Sequence, residues 1–278
     1  MQIMGKKLLY LTFDCEVYSK NKELYKDFYH PTLAIAEFFK KEKIPITLFV
    51  SLSKKFPSIK DYYIVLDSLL KKLRKNKYVS VQLHLHFYDL PVNRIRSKSD
   101  IMKDYSMNEL KKIFKWACAF LKKYGFNPVI FRPAGYITGK SEEYYNLLKE
   151  FNLMSSNLKE YPTEKIKTFP ISTFKSHNRY LKSNKSIITP EIIPAKKVHK
   201  EFQKNPDNLL VSNFHSFSVY SSSVLSWHPC SIIKVLRKIK DKFLGLFNVK
   251  NYNESYEWKQ MKKFIKKYKN QYDFKNFK

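Results

Sequence analysis

Residues 7 to 16 read KLLYLTFDCE, an apolar run of strand length that stops at Asp14, Cys15 and Glu16. Such a run, ending in carboxylates, is the pattern of a buried strand that reaches a polar edge. Side chains alternate along a strand, so Asp14 and Glu16 share one face while Cys15 points into the packing. Outward from this strand the pattern changes period. Leu33, Ala36, Phe38 and Phe39 recur at helical spacing between His30 and Lys41, and Ile44–Val50 is extended again. The alternation continues with a helix over Ile64–Leu73, a strand over Val79–His86, a helix over Leu110–Leu121, a strand over Pro128–Phe131 and a helix over Glu142–Phe151. Shorter extended candidates follow at Ile166–Phe169, Ile187–Ile193 and Leu209–Phe214. Between Leu153 and Pro206, where five prolines fall, loops are expected. Strands alternating with helices imply an α/β fold with a parallel sheet.

The composition narrows the function. The 278 residues are 44% hydrophobic, enough for a core and too apolar for a disordered polyelectrolyte. There are 5 glycines, where average usage of ~7% would give about 19. Glycine-dependent phosphate loops and dinucleotide turns therefore have little material. Lys+Arg number 53 against 24 Asp+Glu, a net charge of +29 that concentrates anionic partners such as acidic glycans, phospholipid surfaces or nucleic acid. Background composition accounts for such a charge equally well. The basic residues are spread along the chain and no nucleic-acid-binding motif is visible, so nucleic acid ranks last. No stretch approaches ~18 uninterrupted apolar residues, and the start runs into acidic residues without a cleavage site. Cys15, Cys118 and Cys230 are odd in number and widely spaced, so no disulfide framework is expected and a cytoplasmic location is. One domain over residues 1–278 is expected, with 230–278 as its basic helical C-terminal part.

The residues able to do chemistry fall at strand ends, where parallel α/β folds gather their reactive groups. Asp14 and Glu16 close the first strand, His84 and His86 the third, while Arg132 and His215 follow later ones. Within VSVQLHLHFYDL, beginning at Val79, alternation sets Gln82, His84 and His86 on one face and Val81, Leu83 and Leu85 on the other. Two imidazoles with one carboxylate, from Glu16 or Asp14, would form an open three-ligand site for Zn²⁺ that leaves a position for water. An isolated His-x-His pair more often just satisfies hydrogen bonds, but four converging strand ends favour a site.

Taken in order, LTFDCE (Leu11–Glu16), HLH (His84–His86), FRPAGY (Phe131–Tyr136) and FHS (Phe214–Ser216) resemble the motifs of the polysaccharide deacetylase family, also called the NodB-homology or carbohydrate esterase family 4. The resemblance runs from the first strand to His215. It implies a distorted, TIM-like (β/α) barrel that removes acetyl groups from sugars with a divalent metal. Carried over, it makes Asp14 the general base for metal-bound water, Arg132 the arginine that orients it, and His215 the acid that protonates the leaving group. Two departures stand out. Cys15 occupies the place of the usual second aspartate, which shifts the carboxylate ligand to Glu16, with Cys15 as the alternative ligand. The second histidine follows at two residues rather than four, where Tyr88 stands, so the metal set becomes Glu16, His84 and His86.

Tyr136 and Trp227 are candidate sugar platforms, and core packing explains them equally well. His30, His177, His199 and His228 read as surface groups. Ser231–Leu244 is a basic amphipathic helix that suits either ordinary packing or peripheral contact with an anionic membrane. Glu257–Lys278 is a second basic helix candidate. The expected function is a metal-dependent deacetylase of an N-acetylated sugar in a surface polysaccharide, lipopolysaccharide or lipid-linked precursor, with a glycan or glycolipid as partner. A non-catalytic glycan-binding module and an amide or imide hydrolase of non-sugar substrates are the alternatives.

Overall fold

The structure, a computed structural model, describes residues 6–17, 24–52, 61–87, 92, 102–134, 142–157, 166–178, 183–220 and 254–278. Its centre is a parallel sheet of β1 (Lys7–Cys15), β2 (Ile46–Ser51), β3 (Val79–Leu85), β4 (Ile130–Pro133), β5 (Met154–Ser155) and β8 (Leu209–His215) in the order β5-β4-β3-β2-β1-β8. Between them run α1 (His30–Glu42), α2 (Tyr62–Leu73), α3 (Met107–Lys123), α4 (Glu142–Glu150) and α5 (Ala195–Lys204). β6 (Thr173–Asn178) and β7 (Ser183–Ile187) form a separate antiparallel hairpin. The sheet curls into a distorted (β/α) barrel, as expected. An irregular segment bridges its two edges. Phe169 and Ile171 donate backbone N–H to Ser155 and Asn157 beside β5, and Ser172 donates to Val211 in β8.

Alternation along the strands makes two layers. Leu9, Leu11, Phe13 and Cys15 of β1 pack outward with Leu48, Val50, Val81, Leu83 and Phe131 against the helices. Inside the barrel a smaller apolar cluster of Phe49, Ile130, Phe169, Ile171, Val211 and Phe277 fills the lumen. It lies beneath the polar strand ends. The helices bury the stripe their period dictates: α2 contributes Val65, Leu66, Leu69, Leu70 and Leu73. α3 starts at a capping box, in which Ser106 accepts from the Glu109 N–H and the Glu109 carboxylate accepts from the Ser106 N–H.

The expectations fail in two regions. The basic helix read over Glu257–Lys278 stops early: α6 is Tyr256–Tyr268, and Tyr272–Lys275 is a strand, β9, parallel to the base of β1. Residues 230–278 are thus not a purely helical part. The aromatic positions 264, 268 and 272 keep a spacing of four, and only the unpaired lower edge of β1 selects extension beyond Tyr268. Between Leu153 and Pro206, expected to be loops, lie the hairpin and α5. Ile166–Phe169 forms a single bridge, Thr168 to Ser155, rather than a strand. Of Ile187–Ile193 only Ile187 is in a strand, because Thr189 accepts the N–H groups of Ile192 and Ile193 in a turn. The expected helix Ser231–Leu244 lies outside the described residues. Among the described residues no helix is long and apolar enough to cross a membrane.

Candidate active site

Register places the reactive residues on two neighbouring rungs at one end of the sheet, with Asp14 level with Phe49 and Gln82 and His84 two residues further along. Asp14 is paired with His215 across β1 and β8, Ser51 with His84 across β2 and β3, and His84 with Arg132 across β3 and β4. All sit where strands end, and all but Glu16 and His215 are nearly inaccessible.

Asp14 and Arg132 form the base of the site. Arg132 Nη1 donates to Asp14 Oδ1 at 2.6 Å and to Asn213 Oδ1 at 2.7 Å, while its Nη2 donates to Thr12 Oγ1 and Ser156 Oγ, both at 2.9 Å. The guanidinium carbon lies 3.9 Å from the centre of the Phe49 ring, a cation on an aromatic face. Asn213 Nδ2 donates to Asp14 Oδ2 at 2.9 Å. Burial alone would raise the Asp14 pKa, but the Arg132 charge, with His84 and His215, outweighs it and holds the carboxyl below its ordinary value.

Beside this pair stand Glu16, His84 and His86. His86 Nε2 is 2.5 Å and His84 Nε2 3.5 Å from Glu16 Oε2. One ligand atom from each residue lies within 4.8 Å of the others. His84 Nδ1 is 3.0 Å from the Arg132 carbonyl oxygen. A carbonyl can only accept, so Nδ1 carries a proton and Nε2 is the nitrogen turned toward Glu16, where a metal would take its lone pair in place of a second proton. That is the tautomer a metal ligand needs. Zn²⁺ with ligand bonds of about 2.0 to 2.2 Å spaces tetrahedral donors about 3.3 to 3.6 Å apart; the 3.5 Å between His84 and Glu16 matches that spacing, whereas His86 and Glu16 are in direct hydrogen-bond contact and would have to part by about 1 Å to admit an ion. Burial opposes the Glu16 charge, but His86 and His84 hold its carboxyl well below the ordinary value. Cys15 offers nothing here. It is buried in the outward layer, and burial pushes its thiol pKa up, away from the thiolate a metal would need.

His215 faces the base from the other side, with Nε2 4.0 Å from Asp14 Oδ2. Its Nδ1 donates to Glu191 Oε2 at 3.0 Å and its backbone N–H to Glu191 Oε1 at 3.1 Å. Ser218 Oγ donates to the same carboxylate. Burial would lower the His215 pKa, yet Glu191, then Asp14 and Glu16, raise it to about 9.

The structure thus brings together Asp14, Glu16, His84, His86, Arg132 and His215. Tyr136, Trp227 and His228 lie outside the described residues. His199 is remote from these residues: it stacks on Tyr268 with ring centres 4.0 Å apart, and its Nδ1 is 2.9 Å from Tyr272 Oη. His30 packs against Tyr25 and Tyr29 at the start of α1. Sequence reading missed Glu191, Asn213, Thr12 and Ser156. The available signal for Glu191 was a lone carboxylate among Ile187, Ile188, Ile192 and Ile193, since an acid in an apolar stretch must find a partner.

No family profile matches the chain, and no curated protein matches it. Solved structures do. An Enterococcus faecalis protein put forward as a cellobiose-phosphate cleavage protein aligns over 98% of this chain and 98% of its own, with 12% identity and a TM-score of 0.54. PdaA of Bacillus subtilis, a family 4 carbohydrate esterase, aligns over 98% of this chain and 79% of its own, with 13% identity and a TM-score of 0.50. The 4-alpha-glucanotransferase of Thermococcus litoralis aligns over 98% of this chain at 15% identity and a TM-score of 0.49, and this chain spans only 41% of its length. Identities this low speak to architecture. The chain has a distorted (β/α) barrel, the architecture of the family 4 carbohydrate esterase PdaA and of the Enterococcus faecalis protein.

Proposed function

We propose that the protein is a metal-dependent hydrolase that removes the acetyl group from an N-acetylated sugar of a glycan or glycolipid. One observation carries this reading: an Asp14–Arg132 pair and a Glu191-held His215 flank a convergent Glu16–His84–His86 set at one sheet edge. The similarity of the fold to a family 4 carbohydrate esterase supports the sugar amide as substrate. Glu16 Oε2, His84 Nε2 and His86 Nε2 would hold a divalent ion, with zinc the natural choice for this donor set, and such an ion would supply Lewis acidity toward the acetyl carbonyl and acidify neighbouring water.

The side chains do the rest. Asp14, kept ionised by Arg132, takes the proton of the attacking water. Oδ2 is the oxygen that faces His215, whereas Oδ1 is occupied by Arg132. His215 is protonated at neutral pH because Glu191 fixes Nδ1–H. Its Nε2 then delivers a proton to the departing nitrogen, so that an amine leaves rather than an amide anion.

Elemental analysis of gently purified protein tests the site. One ion per chain, lost in the His84→Ala, His86→Ala double variant, is expected. With the ion retained, Asp14→Asn should cut turnover of an acetylated aminosugar by about 10²- to 10⁴-fold. Turnover left intact in Asp14→Asn would remove the base assignment, and absence of metal after reconstitution would leave a glycan-binding module. A loaded site that turns over only non-sugar amides would shift the substrate class.

A further inference from the structure

The carboxyl-terminal residues reach the centre of the barrel. After β9, which runs along the base of β1, the chain turns into the lumen and Phe277 becomes almost fully buried. Its ring stacks on Tyr10 with centres 4.4 Å apart, meets Phe169 edge to face at 4.7 Å, and lies 6.5 Å from Phe49. Phe49 is the ring beneath the Arg132 guanidinium. The Phe277 backbone is equally engaged. Its N–H donates to Thr47 Oγ1 at 3.1 Å, and its carbonyl accepts from Ser80 Oγ and from Gln82 Nε2, the latter at 3.1 Å. With its amide nitrogen so directed, Gln82 turns Oε1 toward β4 and accepts the N–H groups of Val129 and Ile130 at 2.8 and 3.1 Å. Arg132 is two residues further along that strand.

We infer that Phe277 is a positioning residue for the Asp14–Arg132 pair, acting on Arg132 from below through the Phe49 ring and from the side through Gln82 and β4. The two routes end on one guanidinium, and the guanidinium fixes the carboxylate. Gln82 is almost fully buried, and its Nε2 donates both to Ser80 Oγ at 2.7 Å and to the Phe277 carbonyl at 3.1 Å, so that carbonyl satisfies an amide hydrogen cut off from bulk water. β9 is what delivers the carbonyl. Loss of the Phe277 ring leaves a gap beside Phe49, and a displacement of about 1 Å at a catalytic pair can cost about 10²-fold in rate.

This inference rests on the reading of Asp14 as the base, and the measurements separate the two. In the full chain, Phe277→Ala is expected to lower kcat on an acetylated aminosugar by about tenfold or more at a temperature where it is fully folded, with KM within about twofold. Phe277→Leu, which keeps an apolar side chain in the lumen and the backbone hydrogen bonds, should recover most of the loss. The Arg132 Nε–H resonance should lose its ring-current shift in Phe277→Ala and regain most of it in Phe277→Leu. A folded Phe277→Ala protein with unchanged kcat and an unchanged Arg132 signal would overturn the inference, whatever its melting temperature. If the wild-type chain turns over no acetylated sugar, the reaction is wrong, and the Arg132 resonance still decides the positioning role. Should Phe277→Ala fail to fold, hydrogen exchange in the wild-type protein decides: the amides of Phe277, Val129 and Ile130 should open together. A Phe277 amide exchanging about a hundredfold faster than the other two would show a tail that frays on its own, and would overturn the inference.

Discussion

Glu191 takes both the Nδ1–H and the backbone N–H of His215, and with Asp14 it lifts the imidazole to a pKa of about 9. A raised basic group stabilises the fold fully below its unfolded pKa of about 6.5, and that stabilisation is lost as pH climbs through the folded value. The window here is therefore about pH 6.5 to 9, and activity that needs the protonated acid should fall across its upper end. In Glu191→Gln the alkaline limb of kcat/KM should move down by about two pH units toward the ordinary histidine value, read from a pH–rate profile. An unmoved limb would mean that another group sets it. Arg132→Met tests the opposite charge. It strands the Asp14 carboxylate in the interior and should cost about 3 to 5 kcal/mol, measured by urea unfolding. At this scale the sequence exposed the residues that end strands, because a polar group closing an apolar run is visible in one dimension. Asn213, Thr12 and Ser156 were not legible, since small polar residues inside strands gain meaning only when Arg132 reaches them from β4.

Elements with a complete local pattern were readable and those whose form depends on a distant partner were not. α3 carries its own start signal in Ser106 and Glu109. Ser106→Ala should lower stability by about 1 kcal/mol and leave turnover unchanged, which denaturant midpoints and an activity assay would check together. β9 has no such local signal. YDFK continues a helical spacing of aromatics, and its extended form comes from the vacant N-terminal half of the β1 edge, whose other half is taken by β2. The hairpin of β6 and β7 was lost for a related reason: TFKSHN and SNKSI mix polar and apolar residues without a clean period. Cys15 was readable, because strict alternation from Asp14 and Glu16 leaves it only the outward layer.

The whole molecule carries a net charge of +29 on 278 residues, and among the described residues its ion pairs are mostly exposed ones such as Lys71 with Asp67 and Lys111 with Glu150. Self-repulsion of this size opposes the compact state. The urea midpoint should therefore rise as NaCl goes from about 20 to about 200 mM, over which the screening length falls to below about 10 Å. A midpoint that falls with salt would mean that attractive pairs dominate instead.

β9 also sets when the protein can come into being. β1 is the first described strand to be made, yet half of one edge stays open until Tyr272–Lys275 arrives, and the lumen beneath Arg132 stays unfilled until Phe277 does. Contacts between chain ends are the slowest to form, because the longest loop must close before they contribute. A nascent chain from which Phe277 has not yet emerged has the motifs of the site but not the floor they rest on. The support beneath Arg132 is thus completed only when Phe277 is in place, and until then the apolar lumen and half of one edge of β1 stay uncovered.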